Sequence, residues 1–145
     1  MLIRPIAESD TDEWLRMRRL LWPETSDEEH QREMQDYGQD AGCAVFVAEE
    51  MEGRLLGFLE AGVRAHASGC ESKNVGYLEG WYVEPSFRRR GIGGRLVEEA
   101  ERWARSKGCT EMASDCDLSN ETSLAAHLGL GYGEACRLIH FMKGL

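Results

Sequence analysis

The chain has 145 residues, the usual size of one domain, and its 17 basic and 26 acidic residues give a net charge of −9. That charge argues against a nucleic-acid-binding protein, which needs a basic surface to displace counterions, and is compatible with a cationic partner. No apolar run approaches the roughly 18 residues that span a bilayer, and the N-terminus lacks the apolar core of a signal peptide. We therefore expect one domain over residues 1–145 and no membrane partner.

Hydrophobic periodicity and turn signals predict elements in the order β-α-α-β-β-β-α-β-α-β-β. In chain order these are a strand over 2–6, a helix from Ser9 to about Leu21, a helix over 26–37, strands over 44–50, 54–64 and 77–83, a helix over 91–107, a strand over 111–114, a helix from Ser119 or Asn120 to about Leu128, and closing strands at Tyr132 and over 135–142. Alternation of this kind predicts a mixed central β-sheet with helices on both faces, an α/β fold.

The cysteine pattern indicates the compartment and argues against a metal. There are five cysteines, an odd number, and none of them forms a C-x-x-C pair. A disulfide framework and a zinc site are therefore not expected. Small half-buried thiols in a reducing cytoplasm are the simpler interpretation.

Residues 24–40 form an acidic segment, with seven acidic side chains against the single Arg32. A solvated helix face explains this pattern as well as a lid that attracts a cationic substrate does. Both interpretations stay open at this point.

The segment over 82–96 runs from a strand through a glycine-rich turn into an amphipathic helix. Free backbone N–H groups and the positive helix end make such a turn an anion site. Its glycines let the main chain approach a pyrophosphate closely, and its arginines suit a phosphorylated ligand. These residues are Arg88, Arg89, Arg90, Gly91, Gly93 and Gly94. The spacing excludes a P-loop NTPase and a dinucleotide fingerprint, and leaves a helix start without a ligand as the alternative.

Two motifs carry a family resemblance. The R-x-x-G-x-G run over 88–93 resembles the [Q/R]-x-x-G-x-[G/A] acyl-CoA loop of the GNAT acetyltransferase superfamily. Downstream, N-x-x-S-x-x-x-H-x-x-x-G-Y over 120–132 is similar to that family's N-x-x-A-x-x-x-Y-x-x-x-G-F, with three replacements. The resemblance covers the whole chain and implies a GNAT fold with acetyl-CoA as co-substrate and no metal.

The resemblance also implies where the cofactor binds. The strand backbone around Tyr82 should pair with the pantetheine arm, residues 88–94 should hold the pyrophosphate, and Asn120 should contact the pantetheine. A splay between the strands ending near Val83 and Ser114 should admit the thioester. The implied cofactor-binding residues are Trp81, Tyr82, Val83, Arg88, Arg89, Arg90, Gly91, Ile92, Gly93, Gly94 and Asn120.

Further segments resemble the aminoglycoside 6'-N-acetyltransferases within the superfamily. They include I-R-x(9)-W-x-x-x-R-x-x-L-W-P over 3–23, L-E-G over 78–80 and M-A-S-D over 112–115. The resemblance implies that the drug pocket is lined by Trp22, His66, Glu79, Asp115 and Cys136. The sequence departs from the subgroup at His66, where Tyr is more usual, and at Cys136, where a carboxylate is often found.

The chemistry of the pocket can be weighed from the residues themselves. Carboxylates accept hydrogen bonds from the ammonium groups of a polycation. Glu79 lies in an apolar strand, where a charge is costly unless it is paired or used. An ion pair with a neighbouring arginine or an exposed edge position would explain it equally. Asp115 could be a turn residue instead of a ligand, and Trp22 could be core instead of a platform for a sugar ring.

Acetyl transfer to an amine needs a base, an oxyanion donor and a proton for the leaving sulfur. Glu79 is the first candidate base and Asp115 the second. A backbone N–H near Val83 is the candidate oxyanion donor. His127 stands where relatives use a tyrosine as the acid, although it could equally be a helix packing residue.

These residues leave three functions to compare: an aminoglycoside 6'-N-acetyltransferase, an acetyltransferase for another amine such as a polyamine or a protein amine, and an acyl-CoA-binding module without activity. The family resemblance further implies a homodimer formed through C-terminal strands. The sequence itself offers only the apolar pair Leu138 and Ile139 there, which could be core.

Overall fold

A five-stranded sheet in the order β1-β2-β3-β4-β5 organises the computed structural model, which describes residues 1–145. The first three pairings are antiparallel, and β4 pairs with β5 in parallel, so the sheet is mixed as predicted. The strands are β1 (Leu2–Pro5), β2 (Cys43–Glu49), β3 (Leu55–Arg64), β4 (Val75–Val83) and β5 (Glu111–Ser114).

The helices are α1 (Thr11–Leu21), α2 (Asp27–Gln39), α3 (Ile92–Ser106) and α4 (Glu121–Gly129). The first begins at Thr11, later than the predicted Ser9, because residues 8–10 form a 3₁₀ turn. Ser26 and Asn120 cap α2 and α4 by accepting hydrogen bonds from backbone N–H groups three residues on. None of these helices combines the length and apolarity that crossing a bilayer requires.

Two apolar clusters lie on opposite faces of the sheet. Met17 of α1 and Met34 of α2 pack on the face that carries Phe58. Leu96 and Val97 of α3 pack on the other face. The prediction of helices on both faces is therefore confirmed.

The predicted closing strands are wrong. No regular element follows α4, and Tyr132 and residues 135–142 lie outside the sheet. Leu138, Ile139 and Phe141 are exposed. A strand is stable only when its backbone groups find a neighbouring strand and its apolar face is covered, and within this chain the segment has neither.

A network of buried ion pairs and hydrogen bonds links α1 and α2 to β3. The side chains of Arg18 and Glu60 are 1% and 2% exposed and form an ion pair. Trp14 Nε1 donates to Glu60 Oε1 at 2.9 Å, and Arg18 Nε lies 3.2 Å from His30 Nδ1. Arg18 also pairs with Glu33 of α2. Burial raises the pKa of Glu60, and the bonds from Arg18 and Trp14 oppose that shift.

Removal of one partner of this pair should be far more harmful than removal of both charges. We expect Arg18→Met to lower the free energy of unfolding by about 3–5 kcal/mol, because it leaves Glu60 buried and unpaired. The double variant Arg18→Met/Glu60→Gln should recover at least half of that loss, since the glutamine still accepts from Trp14. Urea unfolding of the single and double variants measures both values. A double variant no more stable than Arg18→Met would contradict the prediction.

Candidate active site

The site begins where β4 parts from β5. Pairing between these strands ends at Leu78 and Ser114, but β4 continues to Val83 without a partner on that side. The other edge of β4 pairs with β3. There Gly80 lies opposite Glu60, and Leu78 lies opposite Ala61, so no residue of β3 lies opposite Glu79. Glu79 is therefore the extra residue of a β-bulge, a feature that re-aims side chains and ends regular pairing.

The Glu79 carboxylate makes a two-point ion pair with Arg64, the last residue of β3. Arg64 Nε donates to Oε1 at 2.9 Å, and a second guanidinium nitrogen donates to Oε2 at 2.6 Å. The guanidinium carbon lies 3.4 Å from the centre of the Tyr77 ring, and the Tyr77 hydroxyl donates to Asp115. Glu79 therefore forms the ion pair with a neighbouring arginine that was one of the interpretations of its position in the sequence. The same cluster also contains Asp115.

Trp22 packs beside the bulge. Gly80 leaves room for its ring, because a Cβ atom there would lie only 2.9 Å from Trp22 Cζ2. The Arg18 guanidinium lies 4.7 Å from the centre of that ring, and Phe58 meets it edge-on at 6.3 Å. The buried network described above therefore fixes Trp22 next to Glu79.

Burial is the first cause of the raised pKa of three side chains around Glu79, and nearby carboxylates add to each shift. Burial and then the charge of Asp40 raise the pKa of the Cys43 thiol to about 11, with Glu79 contributing. Burial and the charges of Glu60 and Glu79 raise the pKa of Tyr37. Burial and the bond to its carboxylate partner likewise raise the pKa of Tyr77. Carboxylates attract cations and repel anions.

The glycine-rich turn follows the C-terminal end of β4. Gly91 is the N-cap of α3 with φ 80°, a left-handed conformation that glycine adopts without steric cost. Arg89 also has a positive φ, 61°, which is costly for a residue with a side chain. Arg88 Nε donates to the Val83 carbonyl at 2.8 Å and so fastens the turn to the strand. The free N–H groups at the start of α3 suit an anion.

Trp81 connects the turn to the unpaired edge of β4. Its ring packs under the start of α3, where a Cβ on Gly93 would lie 2.9 Å from Trp81 Cζ2. Its indole Nε1 is buried and has no hydrogen-bond partner. Buried donors are usually satisfied, so an unsatisfied one beside an anion-binding turn fits a ligand that supplies an acceptor.

His127 of α4 lies against Trp81 and the end of β5. Its Nδ1 is 2.7 Å from the Ser123 carbonyl oxygen, and its Nε2 is 2.8 Å from Ser114 Oγ. A carbonyl oxygen only accepts, so Nδ1 carries a proton. Ser114 Oγ also donates to the Leu78 carbonyl oxygen at 3.4 Å.

Comparison with known proteins assigns the family. The model of the acetyltransferase (GNAT) family matches residues 12–132. The chain belongs to the GNAT family. A curated relative from Klebsiella aerogenes, named aminoglycoside N(6')-acetyltransferase type 1, is 46% identical over 99% of this chain and 97% of its own length. A relative of the same name from Acinetobacter genomosp. 13 is 40% identical over 99% of this chain and 98% of its own length.

Solved structures agree with this GNAT assignment. The chain superposes on the apo aminoglycoside 6'-N-acetyltransferase AAC(6')-IG from Acinetobacter haemolyticus with a TM-score of 0.93, at 36% identity over 100% of this chain and 99% of that one. AAC(6')-Iy in complex with the bisubstrate analogue CoA-S-monomethyl-acetylneamine gives a TM-score of 0.94, at 36% identity over 99% and 98%. The predicted α/β GNAT fold is confirmed, and the co-substrate of the family, acetyl-CoA, fits the turn and the open edge of β4.

The structure brings some predicted site residues together and leaves others apart. Trp22, Glu79 and Asp115 lie around the bulge of β4, where Trp22 packs on Gly80 and Asp115 accepts from Tyr77. His66 lies exposed in the loop after β3 and Cys136 lies exposed in the segment after α4, and neither makes a hydrogen bond or an ion pair. Asn120 uses its side-chain oxygen to cap α4, accepting from the Ser123 N–H at 3.0 Å.

Sequence reasoning missed four residues that shape this GNAT site. Glu60 carries the same signal that singled out Glu79, an acid inside an apolar strand, and could have been found by it. Arg64, Tyr77 and Ser114 carry no signal of their own, because their roles depend on strand register. Only the pairing of β3 with β4 and of β4 with β5 places them beside the predicted carboxylates.

A methyl group at Gly80 tests the packing of Trp22 on the bulge. We expect Gly80→Ala to lower the free energy of unfolding by about 1–3 kcal/mol, because the new Cβ overpacks the space between Trp22 and Glu60. Gly129→Ala is the matched control, since no atom lies within 4 Å of its added Cβ. Urea unfolding followed by tryptophan fluorescence measures both variants. Equal stability of the two would show that Trp22 does not depend on Gly80.

Proposed function

We propose that this chain transfers the acetyl group of acetyl-CoA to the 6'-amine of aminoglycoside antibiotics, with Glu79 and Asp115 as the carboxylates that receive the drug. Two carboxylates near the point where β4 leaves β5 carry the proposal: Glu79 binds Arg64, and Asp115 accepts from the hydroxyl of Tyr77, whose ring contacts that arginine. Two relatives that are 46% and 40% identical to nearly the full chain support the proposal, because both are named aminoglycoside N(6')-acetyltransferase type 1.

A polyamine or a protein amine is the second candidate acceptor, because the same cofactor loop would serve any amine. Two features favour the aminoglycoside. Asp115 and Glu79 are both carboxylates and lie on either side of Tyr77 and Arg64, which suits a substrate that carries several ammonium groups. Beside Glu79, Trp22 offers a half-buried ring on which a sugar can lie.

The acetyl donor is held, in this proposal, by the open edge of β4 and the turn before α3. The backbone of Trp81, Tyr82 and Val83 pairs with the pantetheine arm, and the N–H groups of residues 91–94 receive the diphosphate. Acetyl-CoA supplies an activated acyl group as a thioester. The edge of β4 that is unpaired beyond Leu78 and the free N–H groups at the start of α3, which follows the left-handed Gly91, are the observations that fit this ligand.

The remaining chemistry belongs to side chains and backbone of this chain. Glu79, directly or through water, accepts a proton from the substrate ammonium so that its lone pair becomes available, with Asp115 as the second candidate. A backbone N–H near Val83 stabilises the developing oxyanion. The amine nitrogen then forms a bond to the thioester carbonyl carbon as the C–S bond breaks, and the nitrogen releases its second proton to solvent. His127, whose Nε2 lies 2.8 Å from Ser114 Oγ, is the candidate donor of a proton to the leaving sulfur.

A panel of amines offered with acetyl-CoA tests the function itself. We expect thiol release with kanamycin and tobramycin, and mass spectrometry should locate the acetyl group on the 6'-nitrogen. Spermidine and a lysine peptide are the comparison substrates. Turnover with either of these and not with any aminoglycoside would transfer the assignment to another amine, and CoA binding without any transfer would leave only a binding module.

Neutral replacements test the two carboxylates. Glu79→Gln should lower kcat/KM for tobramycin by about 100-fold or more, since the amide cannot act as a base. Asp115→Asn should raise KM for tobramycin by about 10-fold, because it removes a charged hydrogen bond. Glu98→Gln is the control, an exposed acid of α3 without an ion pair. Unchanged tobramycin kinetics in both site variants would remove Glu79 and Asp115 from the pocket.

We further propose that two chains associate through residues 133–145. This segment exposes Ile139, Phe141 and Met142 at 79%, 90% and 92%. Contiguous apolar side chains at such exposure are typical of an interface. A second copy of the chain would give the segment the neighbouring strand that it lacks here.

Light scattering tests the association. We expect the 16.4 kDa chain to run as a dimer and Ile139→Asp to run as a monomer, because a buried carboxylate without a partner disfavours the interface. Met51→Asp, on an exposed apolar residue of the β2–β3 turn, is the matched control and should stay dimeric. A monomeric unmodified chain would remove the proposal.

We place the reaction in the cytoplasm. All five cysteines are free, and Cys116 and Cys136 are exposed. Exposed thiols persist in a reducing compartment and tend to oxidise outside it.

A further inference from the structure

Arg64 occupies the position at which the proposed substrate ammonium would bind. Its guanidinium satisfies both oxygens of Glu79, at 2.9 and 2.6 Å. The same group lies flat against Tyr77, whose hydroxyl is already committed to Asp115. The free protein therefore holds one cation among the two carboxylates assigned to the drug.

This cation is held loosely compared with Arg18. The side chains of Arg64 and Glu79 are 44% and 28% exposed, and Arg64 makes no other ion pair. An ion pair at such exposure is screened by water and contributes little to stability, so an incoming ammonium can replace it. Arg18, in contrast, is 1% exposed and pairs with two acids, which makes it a fixed part of the core.

We propose that Arg64 is a resident counter-cation that the substrate displaces from Glu79, and that it thereby sets the affinity of the site for polycations. The inference rests on the proposed function in assigning Glu79 and Asp115 to the substrate. A substrate with one ammonium group exchanges one cation for another and gains little. A polycation contacts Glu79 and Asp115 together, so it regains more than the lost ion pair. Arg64 is therefore a specificity-determining residue.

Calorimetry with tobramycin on the CoA-bound protein tests the displacement directly. Arg64→Gln should lower the Kd for tobramycin by about two- to five-fold, the size expected for one partly exposed ion pair. Arg102→Gln is the control, because it removes the same charge from an arginine of α3 that is 70% exposed. The Arg102→Gln variant corrects for the general increase in negative charge, and it should bind tobramycin more weakly than Arg64→Gln does.

Two more measurements separate displacement from a structural role. In the background of Glu79→Gln, the change Arg64→Gln should no longer improve tobramycin binding, because Arg64 then has no carboxylate from which tobramycin must displace it. Arg64→Lys should restore the affinity of the unmodified protein, because it keeps the resident charge. Tobramycin binding by Arg64→Gln that is equal to or weaker than that of Arg102→Gln would overturn the inference and make Arg64 a residue that positions Glu79.

Calorimetry measures tobramycin binding, and the amine panel measures acetyl transfer. The proposed function and the displacement of Arg64 can therefore be rejected independently. Tobramycin binding without acetyl transfer by the unmodified protein would reject the proposed function, while the calorimetric comparison would still decide the role of Arg64. Acetyl transfer with no affinity gain in Arg64→Gln would keep the function and reject the displacement. No tobramycin binding by either protein would reject both.

Discussion

The parting of β4 from β5 is the constraint on which the rest of the site depends. Parallel pairing stops at Leu78 and Ser114, and β4 runs on to Val83 with one edge open. Backbone N–H and C=O groups in the interior need partners, so an open edge inside a fold must be satisfied by something other than a strand. The bulge at Glu79 lies at the same point and places a carboxylate where the edge opens. The parting from β5 thus leaves backbone groups free for an amide-bearing cofactor arm, and the bulge against β3 places an acidic group beside them.

Two arginine–glutamate pairs near this point have opposite physical characters. Arg18 and Glu60 are fully buried, and breaking such a pair leaves an uncompensated charge in the core. They hold Trp22 and join the two helices to β3, so they are part of the scaffold. Arg64 and Glu79 are partly exposed, and water and salt weaken their attraction. The same chemistry is thus structural when buried and exchangeable at the surface.

Much of this was accessible from the sequence. Helical and strand periodicity located the elements through α4, because such periodicity depends on local spacing, and the glycine–arginine turn predicted an anion site for the same reason. The bulge was not accessible, since it arises from a one-residue mismatch between β3 and β4 that no local pattern encodes. Arg64 and Tyr77 acquire their roles only through that register. The closing strands were wrongly predicted because the apolar residues over 135–142 indicate strand propensity and not the presence of a neighbouring strand.

A crystal structure of the protein with CoA and tobramycin tests the central claim most directly. The open edge of β4 predicts that pantetheine amides hydrogen-bond to the backbone of residues 79–83, that the diphosphate lies on the N–H groups of residues 91–94, and that a drug ammonium contacts Glu79. A complex in which β5 extends its pairing along residues 79–83 and the cofactor binds elsewhere would contradict it.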